Sequence, residues 1–230
     1  MTCLVFSKND LISKHFVYYI IESASCPAPA DIPAEAGARR NGLHAAGACV
    51  RIAKKRKAGD RMELQSYEKR GYLHEDFRLF HLTTAMEQEV DWHYHAFHKI
   101  IVYLGGAAAF YGIEGKSYPL EPGDIILVPH GCIHRPEIKR STAYDRMILY
   151  ISPEFLCRSS EDDSLEACFA HAAREFHFVV RAGGQNRALL QLLYAMEQAE
   201  GQSAFASTLL TRSLFFQFLI FLTRETARGE

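Results

Sequence analysis

The amino-acid sequence predicts a protein that is mainly β through its middle and α-helical toward its C-terminus. Short strand-like segments separated by Gly- and Pro-containing turns run from about residue 77 to 152, which is typical of a sandwich or barrel. Helical periodicity replaces them from residue 153 onward. The 230 residues are 48% hydrophobic and 23% charged, the ordinary balance of a globular protein, so we expect one core domain with appendages.

The strand predictions rest on alternating or continuously apolar runs that end at turn residues. The predicted strands are Phe77–Thr84, Lys99–Leu104, Ala107–Gly112, Lys116–Leu120, Asp124–Val128, Cys132–Ile138 and Arg146–Ile151. Glu114-Gly115 is a hairpin-like turn between two of them, and Glu121–Asp124 is another turn. We therefore predict a compact β-barrel over roughly residues 62–152.

The helical predictions begin at Ser152-Pro153, an N-cap residue followed by proline at the first helical position. Further helices are predicted at Ser164–Glu175, Asn186–Glu200 and Ser203–Ala227. The last one is apolar around much of its circumference, with Phe205, Leu209, Leu210, Leu214, Phe216, Phe218, Ile220 and Leu222. One barrel face cannot bury all of these side chains, so we expect a helical partner from a second copy of the chain.

Residues 1–61 have a different texture, because they are rich in Ala, Pro and Gly and contain the basic run Arg51–Lys57. We expect a poorly ordered extension here. The basic run could contact nucleic acid, although a solvated charge cluster is the commoner meaning of such a run. A second interpretation makes Met62 the true start, with residues 1–61 a non-native extension.

The formal net charge of −1 gives the chain as a whole no basic footprint for nucleic acid. No segment reaches the ~18–20 apolar residues of a membrane span. The six cysteines form no Cys-x-x-Cys pair, so reduced thiols and a cytoplasmic location are expected.

Histidines mark the candidate site. His93 and His95 are two residues apart, which places both side chains on one face of a strand. Lys99 follows four residues after His95 and shares that face if no bulge intervenes. His134 lies on a different strand, so only the fold can bring the histidines together.

These residues resemble the two motifs of the cupin family, which implies a cupin, or jelly-roll, barrel. His93, His95 and Gly106 match the first motif, and the segment Gly123-x5-Pro129-x-Gly131-x2-His134 matches the second in full. Metal-binding cupins have a glutamate where Lys99 stands. An ammonium ~4 Å from a cation is unfavourable by about 4 kcal/mol at an effective dielectric of about 20. We therefore expect no metal and no cofactor. If a metal does bind, its ligands are His93, His95 and His134.

The cluster is instead predicted to be a pocket for a small polar ligand, either sugar-like or anionic. The predicted ligand-binding residues are His93, His95, Lys99, Tyr103, His134 and Trp92, the last as a ring that stacks on a sugar at the barrel rim. The alternative is that the histidines are interior residues satisfied by their neighbours.

A wider resemblance covers about residues 62–225. The chain is similar to the N-terminal part of AraC-type transcriptional regulators in the segments Met62–Gly71, His93–Ile100, Ile113–Pro129, His134–Pro136 and Leu149–Leu156. The resemblance implies a cupin-like barrel that senses a small-molecule effector, helices that form a homodimer, and a C-terminal pair of helix-turn-helix units that binds DNA.

Three regions follow from this resemblance: the extension 1–61, a barrel with an N-terminal arm at 62–152, and a helical dimerisation region at 153–230. Within the arm, Tyr67 and Tyr72 could cover the barrel mouth. No helix-turn-helix is recognisable before Glu230, so we expect either a fragment of a longer regulator or a lone sensor that contacts DNA only through an attached domain. No catalytic residues are predicted. The alternatives are a metal-dependent cupin enzyme, such as a sugar isomerase or oxygenase, and a ligand-free interaction module.

Overall fold

The computed structural model describes residues 17–23, 48–54, 67–85, 89–106, 109–138, 143–161, 163–181 and 186–228. The chain divides into two units, Met1–Ser66 and Tyr67–Glu230. In the first unit, β1 (Val17–Ser23) and β2 (Ala48–Lys54) pair antiparallel, an arrangement the sequence analysis did not predict. The rest of residues 1–61, including the end of the basic run, lies outside the described residues.

The second unit contains two five-stranded sheets. Their strands are β3 (Glu68–Lys69), β4 (Phe77–Ala85), β5 (His93–Tyr94), β6 (His98–Gly106), β7 (Ala109–Ile113), β8 (Lys116–Leu120), β9 (Ile125–Val128), β10 (His134–Ile138), β11 (Ala143–Ile151) and β12 (Val179–Val180). The first sheet has the order β3-β5-β10-β7-β8 and the second β12-β9-β6-β11-β4. All pairings are antiparallel except the one between β3 and β5.

The predicted turn between β7 and β8 is a tight hairpin. Ile113 lies opposite Lys116, so only Glu114 and Gly115 form the loop. Both have positive φ, 49° and 77°, as a type I′ turn requires. The carboxylate of Glu114 then accepts a hydrogen bond from the backbone N–H of Ile133 at 2.6 Å, which fastens this hairpin to the segment before β10.

The second sheet has one face inside the barrel and one face under the helices. Along β6, Lys99 and Tyr103 point inward, opposite Tyr150 and Arg146 of β11. The interior assignment follows because the Tyr150 ring lies 6.0 Å from the ring of His95, on the other sheet.

Four helices lie in the described residues: α1 (Pro153–Ser159), α2 (Ala167–Glu175), α3 (Asn186–Glu200) and α4 (Ser207–Arg228). The predicted N-cap at Ser152 is confirmed, since its hydroxyl accepts a hydrogen bond from the N–H of Phe155 at 3.1 Å. Helices cover the outer face of the second sheet, where Phe77 of β4 stacks on Phe215 of α4 at 4.3 Å. No described helix is long and apolar enough to cross a membrane.

Helix α4 has two apolar faces. One is buried in this chain's own core and contains Phe215, Phe218, Leu219 and Leu222. The other leaves Leu209, Leu210, Ile220 and Phe221 exposed. The predicted excess of apolar surface is therefore present, but Phe218, which was expected to belong to it, is buried in the intramolecular core.

Candidate functional site

The three predicted histidines meet inside the barrel. His93 in β5 lies directly opposite His134 in β10, and His95 follows β5. The ring centroids are 4.5–5.0 Å apart. All three are buried, and one ring nitrogen from each lies within 4.8 Å of the others. The strand pairing therefore brings together residues that are about forty positions apart in sequence.

Backbone carbonyls fix the orientation of two of these rings. Nδ1 of His93 lies 2.7 Å from the carbonyl oxygen of Asp91, and Nδ1 of His134 lies 2.9 Å from that of Cys132. A carbonyl oxygen only accepts, so each Nδ1 carries the hydrogen and donates it. The Nε2 atom is then an acceptor, and Nε2 of His134 is buried without a partner.

The third ring is held by the N-terminal arm. Nδ1 of His95 donates to the carbonyl of Arg70, which follows β3, and Nε2 of His95 is again buried without a partner. The arm is joined to this sheet because Glu68 and Lys69 pair in parallel with β5. The backbone of the arm thus sets the tautomer and direction of a site residue.

The cluster is electrically neutral at pH 7. Burial lowers the pKa of His93, lowers the pKa of His95 to about 4, and lowers that of His134 well below its usual range. Electrostatic repulsion from Lys99 lowers all three further. The cluster therefore presents lone pairs rather than N–H groups at Nε2.

Lys99 does not share a strand face with His95 as predicted, because β5 ends at Tyr94 and Lys99 lies on β6 of the other sheet. It faces the cluster across the interior and is only 8% exposed. Its Nζ is 5.8 Å from the centroid of the Tyr150 ring. No hydrogen bond or ion pair joins Nζ to another residue in the described ranges. Burial, and then repulsion from Arg146, lowers the pKa of Lys99 to about 8. The ammonium is thus a buried cation.

The two aromatic residues predicted for the site lie on opposite sides of the barrel wall. Tyr103 is buried on the inner face of β6, with its ring 5.8 Å from that of Tyr144. The ring of Trp92 instead lies against Gly112 and 4.8 Å from the guanidinium of Arg135. Arg135 follows His134 along β10 and so faces the opposite side of the sheet. The structure therefore does not bring Trp92 into the cluster.

The predicted lid residues also differ from expectation. Tyr72 is 77% exposed and stacks on His74 at 6.4 Å, so it does not cover the barrel. Tyr67 is half-buried at the start of the described arm. The contribution of the arm is the Arg70 carbonyl, which sequence patterns do not reveal.

Two further polar residues, Tyr111 and Arg146, face the interior and were not predicted from the sequence. Tyr111 of β7 is fully buried, its ring lies 6.0 Å from that of His134, and its hydroxyl has no partner. Arg146 of β11 points inward after a register shift between Asp145 and Arg146. Its guanidinium stacks on the Tyr144 ring at 4.3 Å. Arg146 lies four residues before Tyr150, so strand alternation puts both on the same face of β11. The sequence alone does not show which face is interior.

His98 faces away from the cluster, as expected for its strand position. It stacks on Phe169 of α2 at 4.1 Å, and its Nε2 lies 3.3 Å from a carboxylate oxygen of Glu166. Its Nδ1 accepts a hydrogen bond from the N–H of His130 at 3.1 Å. This histidine joins the barrel to the helices.

Comparisons with known proteins agree with this architecture. A family model described as AraC-like ligand binding domain matches residues 79–219. No match was found among the curated proteins. The family match and the two five-stranded sheets followed by helices confirm the predicted fold class, a cupin-like barrel with C-terminal helices.

Several solved structures are similar to the chain. A cupin-like protein from Thermotoga maritima is 17% identical over 35% of this chain and 60% of that one, with a TM-score of 0.31. A cupin 2 conserved barrel domain protein from Salinispora arenicola is 17% identical over 37% and 71%, with a TM-score of 0.31. The AraC-like transcriptional activator CuxR is 13% identical over 57% and 42%, with a TM-score of 0.41. The chain thus spans less than two thirds of the first and third of these proteins.

Proposed function

Because the chain belongs to the AraC-like ligand binding domain family, we propose that it is the sensing and dimerising part of an AraC-type transcription regulator. Its barrel binds a small polar molecule, sugar-like or anionic. The main support is that three polar atoms are buried without a hydrogen-bond partner among the described residues: Nε2 of His95, Nε2 of His134 and the hydroxyl of Tyr111. A buried polar group left unpaired costs about 1–3 kcal/mol, and a ligand that satisfies it recovers that cost.

Ligand binding is communicated through the arm, whose described residues are 67–76. The arm pairs with β5 and holds His95 through the Arg70 carbonyl, so a ligand that contacts His95 favours one placement of the arm. Binding then shifts the population between two arrangements and changes how an attached helix-turn-helix domain meets DNA. The DNA contact itself belongs to that domain.

A homodimer forms through the C-terminal helices. The exposed apolar face of α4, with Leu209, Leu210, Ile220 and Phe221, is the surface a second copy would cover. Phe221→Glu should convert a dimer into a monomer in size-exclusion chromatography with light scattering. Ala170→Glu puts the same charge on an exposed position of α2 and should leave the dimer intact. A monomeric wild-type protein would overturn this part of the proposal.

Native mass spectrometry of freshly purified protein tests the sensing function without knowledge of the ligand. The wild type should carry one small organic molecule per protomer, which His134→Leu loses. Denaturing spectra of the same samples should give the bare chain masses. If the native mass of the wild type equals its own denatured chain mass, as in the variant, the result would count against a barrel ligand.

A metal-dependent cupin enzyme is the second candidate. In all three imidazoles Nδ1 donates to a backbone carbonyl, as in many metal-binding histidines, whose other ring nitrogen is oriented in this way. The buried ammonium of Lys99 opposes this candidate. Elemental analysis should find no stoichiometric transition metal in the wild type. Lys99→Glu should raise zinc affinity. Stoichiometric metal in the wild type would favour the enzyme.

The cytoplasm is the compartment that suits this function. Among the described residues, Cys132, Cys157 and Cys168 form no disulfide with one another, as a reducing compartment allows. Thiol labelling of protein in freshly lysed cells should modify the exposed Cys157 fully.

A further inference from the structure

The barrel interior contains two cations without a described carboxylate partner. Lys99 has neither a hydrogen bond nor an ion pair to the described residues. Arg146 donates from Nη1 to the Tyr144 carbonyl at 2.8 Å and to the Thr84 hydroxyl at 3.0 Å. Its Nε and Nη2 make no hydrogen bond within the described part of the chain. The second sheet, which contains β6 and β11, therefore presents several donors to the interior.

The buried ammonium of Lys99 is costly without an anionic partner, and the half-buried guanidinium of Arg146 adds like charge to the same interior. Lys99 and Arg146 point into the same interior from neighbouring strands, because Lys99 pairs with Tyr150 and Arg146 lies four residues before Tyr150 on the same face of β11. An anionic group between them would remove both costs. The hydroxyl of Tyr111 is buried without a partner among the described residues, and it is a further donor for a ligand in this interior.

The histidines, which lie on or next to the first sheet, have the opposite chemistry. The Nδ1–H groups of His95 and His134 are used on backbone carbonyls, so their Nε2 atoms can only accept. A carboxylate or phosphate oxygen has no hydrogen to give them. A hydroxyl group does, and it would satisfy the lone pairs that are now buried without partners.

Donors on the second sheet that face acceptors on the first select a bifunctional ligand. We propose that the barrel binds a small hydroxy acid, with its anionic group between Lys99 and Arg146 and its hydroxyls donating to Nε2 of His95 and His134. This inference rests on the proposed sensing function and narrows its ligand class. A neutral sugar would leave the cations unpaired, and a simple carboxylate would leave the imidazoles unpaired.

Three matched three-carbon probes test the inference by thermal denaturation at pH 7: glycerate, glycerol and propionate, each against equal sodium chloride. At concentrations well above its dissociation constant, glycerate should raise the melting temperature by about 4 °C or more. Propionate should give a smaller shift and glycerol none.

Variants assign the effect to the interior. Arg146→Gln and, independently, Lys99→Met should abolish the glycerate shift. Arg135→Gln is the matched control, because Arg135 also stacks on an aromatic ring, that of Trp92, but on the outer face of the barrel. It should keep the full shift.

The outcomes separate the inference from the sensing function. A shift with glycerol equal to that with glycerate, or a glycerate shift that survives both Arg146→Gln and Lys99→Met, overturns the hydroxy-acid assignment. No shift with any probe overturns it as well. In each case the difference between the native and the denatured mass of the protein still shows whether the barrel holds another molecule.

Discussion

Replacing Lys99 with methionine should stabilise the ligand-free protein at neutral pH. Methionine has similar length, fits an interior site and removes a buried ammonium. Burial, aided by repulsion from Arg146, lowers the pKa of Lys99 from 10.5 to about 8. At 1.36 kcal/mol for each pH unit of that difference, the charged side chain costs the folded state about 3 kcal/mol.

The pH dependence gives this prediction its signature. Below pH 8 Lys99 is protonated in both states, so the folded protein bears the full cost. Between pH 8 and 10.5 the unfolded chain binds more protons than the folded one, so the free energy of unfolding of the wild type rises with pH. The advantage of Lys99→Met should therefore be about 3 kcal/mol at pH 7 and shrink toward zero at pH 10.5.

Urea denaturation followed by circular dichroism at pH 7, 8, 9 and 10 measures this difference. Lys116→Met, at an exposed lysine of the β7–β8 hairpin, controls for the substitution itself. A difference between Lys99→Met and wild type that stays constant with pH, or a variant less stable than wild type at pH 7, would refute the account of a buried unpaired cation.

Three further predictions concern the fold around the site. Burial raises the pKa of Glu114 from 4.5 to about 7, so stability present below pH 4.5 should fall by about 3 kcal/mol as pH rises through 7. In urea denaturation at several pH values, Glu114→Gln should reduce this pH-dependent loss of stability. An unchanged dependence of the free energy of unfolding on pH would contradict the raised pKa of Glu114. Asp124→Ala should cost about 2–3 kcal/mol in thermal unfolding, because the buried carboxylate accepts from the Glu121 N–H at 2.9 Å and from Arg181 at 2.8 Å. Ser152→Ala should cost about 1 kcal/mol by loss of the α1 cap, and Ser152→Thr should restore most of it.

Sequence patterns predicted most elements because local chemistry determines them. The loop Glu114-Gly115 fixes the β7–β8 hairpin, and the bounds of β8 and α3 match the predicted ones. The strands β3, β5 and β12 are two residues each, too short for any periodicity, and exist because neighbouring strands pair with them. Tertiary contacts, rather than local preference, create those strands.

The site was predictable in part. Two motifs on separate strands predicted that the histidines meet. Strand alternation was the wrong reason for grouping Lys99 with them, because Lys99 lies on β6 and faces the histidines from the other sheet. Trp92 was misplaced because it directly precedes inward-facing His93 and so faces the other side of the sheet. Arg146 was missed because strand β11 is apolar on both faces, and only the sheet pairing tells which face is interior.

The tautomers of the site histidines test the central claim most directly, because the pocket is defined by Nε2 lone pairs that face the interior. Long-range ¹H–¹⁵N NMR spectra of ¹⁵N-histidine-labelled protein at pH 7, assigned with single His→Gln variants, report them. The account predicts neutral rings protonated at Nδ1 for His93, His95 and His134, with Nε2 signals that move when glycerate is added. Rings protonated at Nε2, or imidazolium rings, would contradict it.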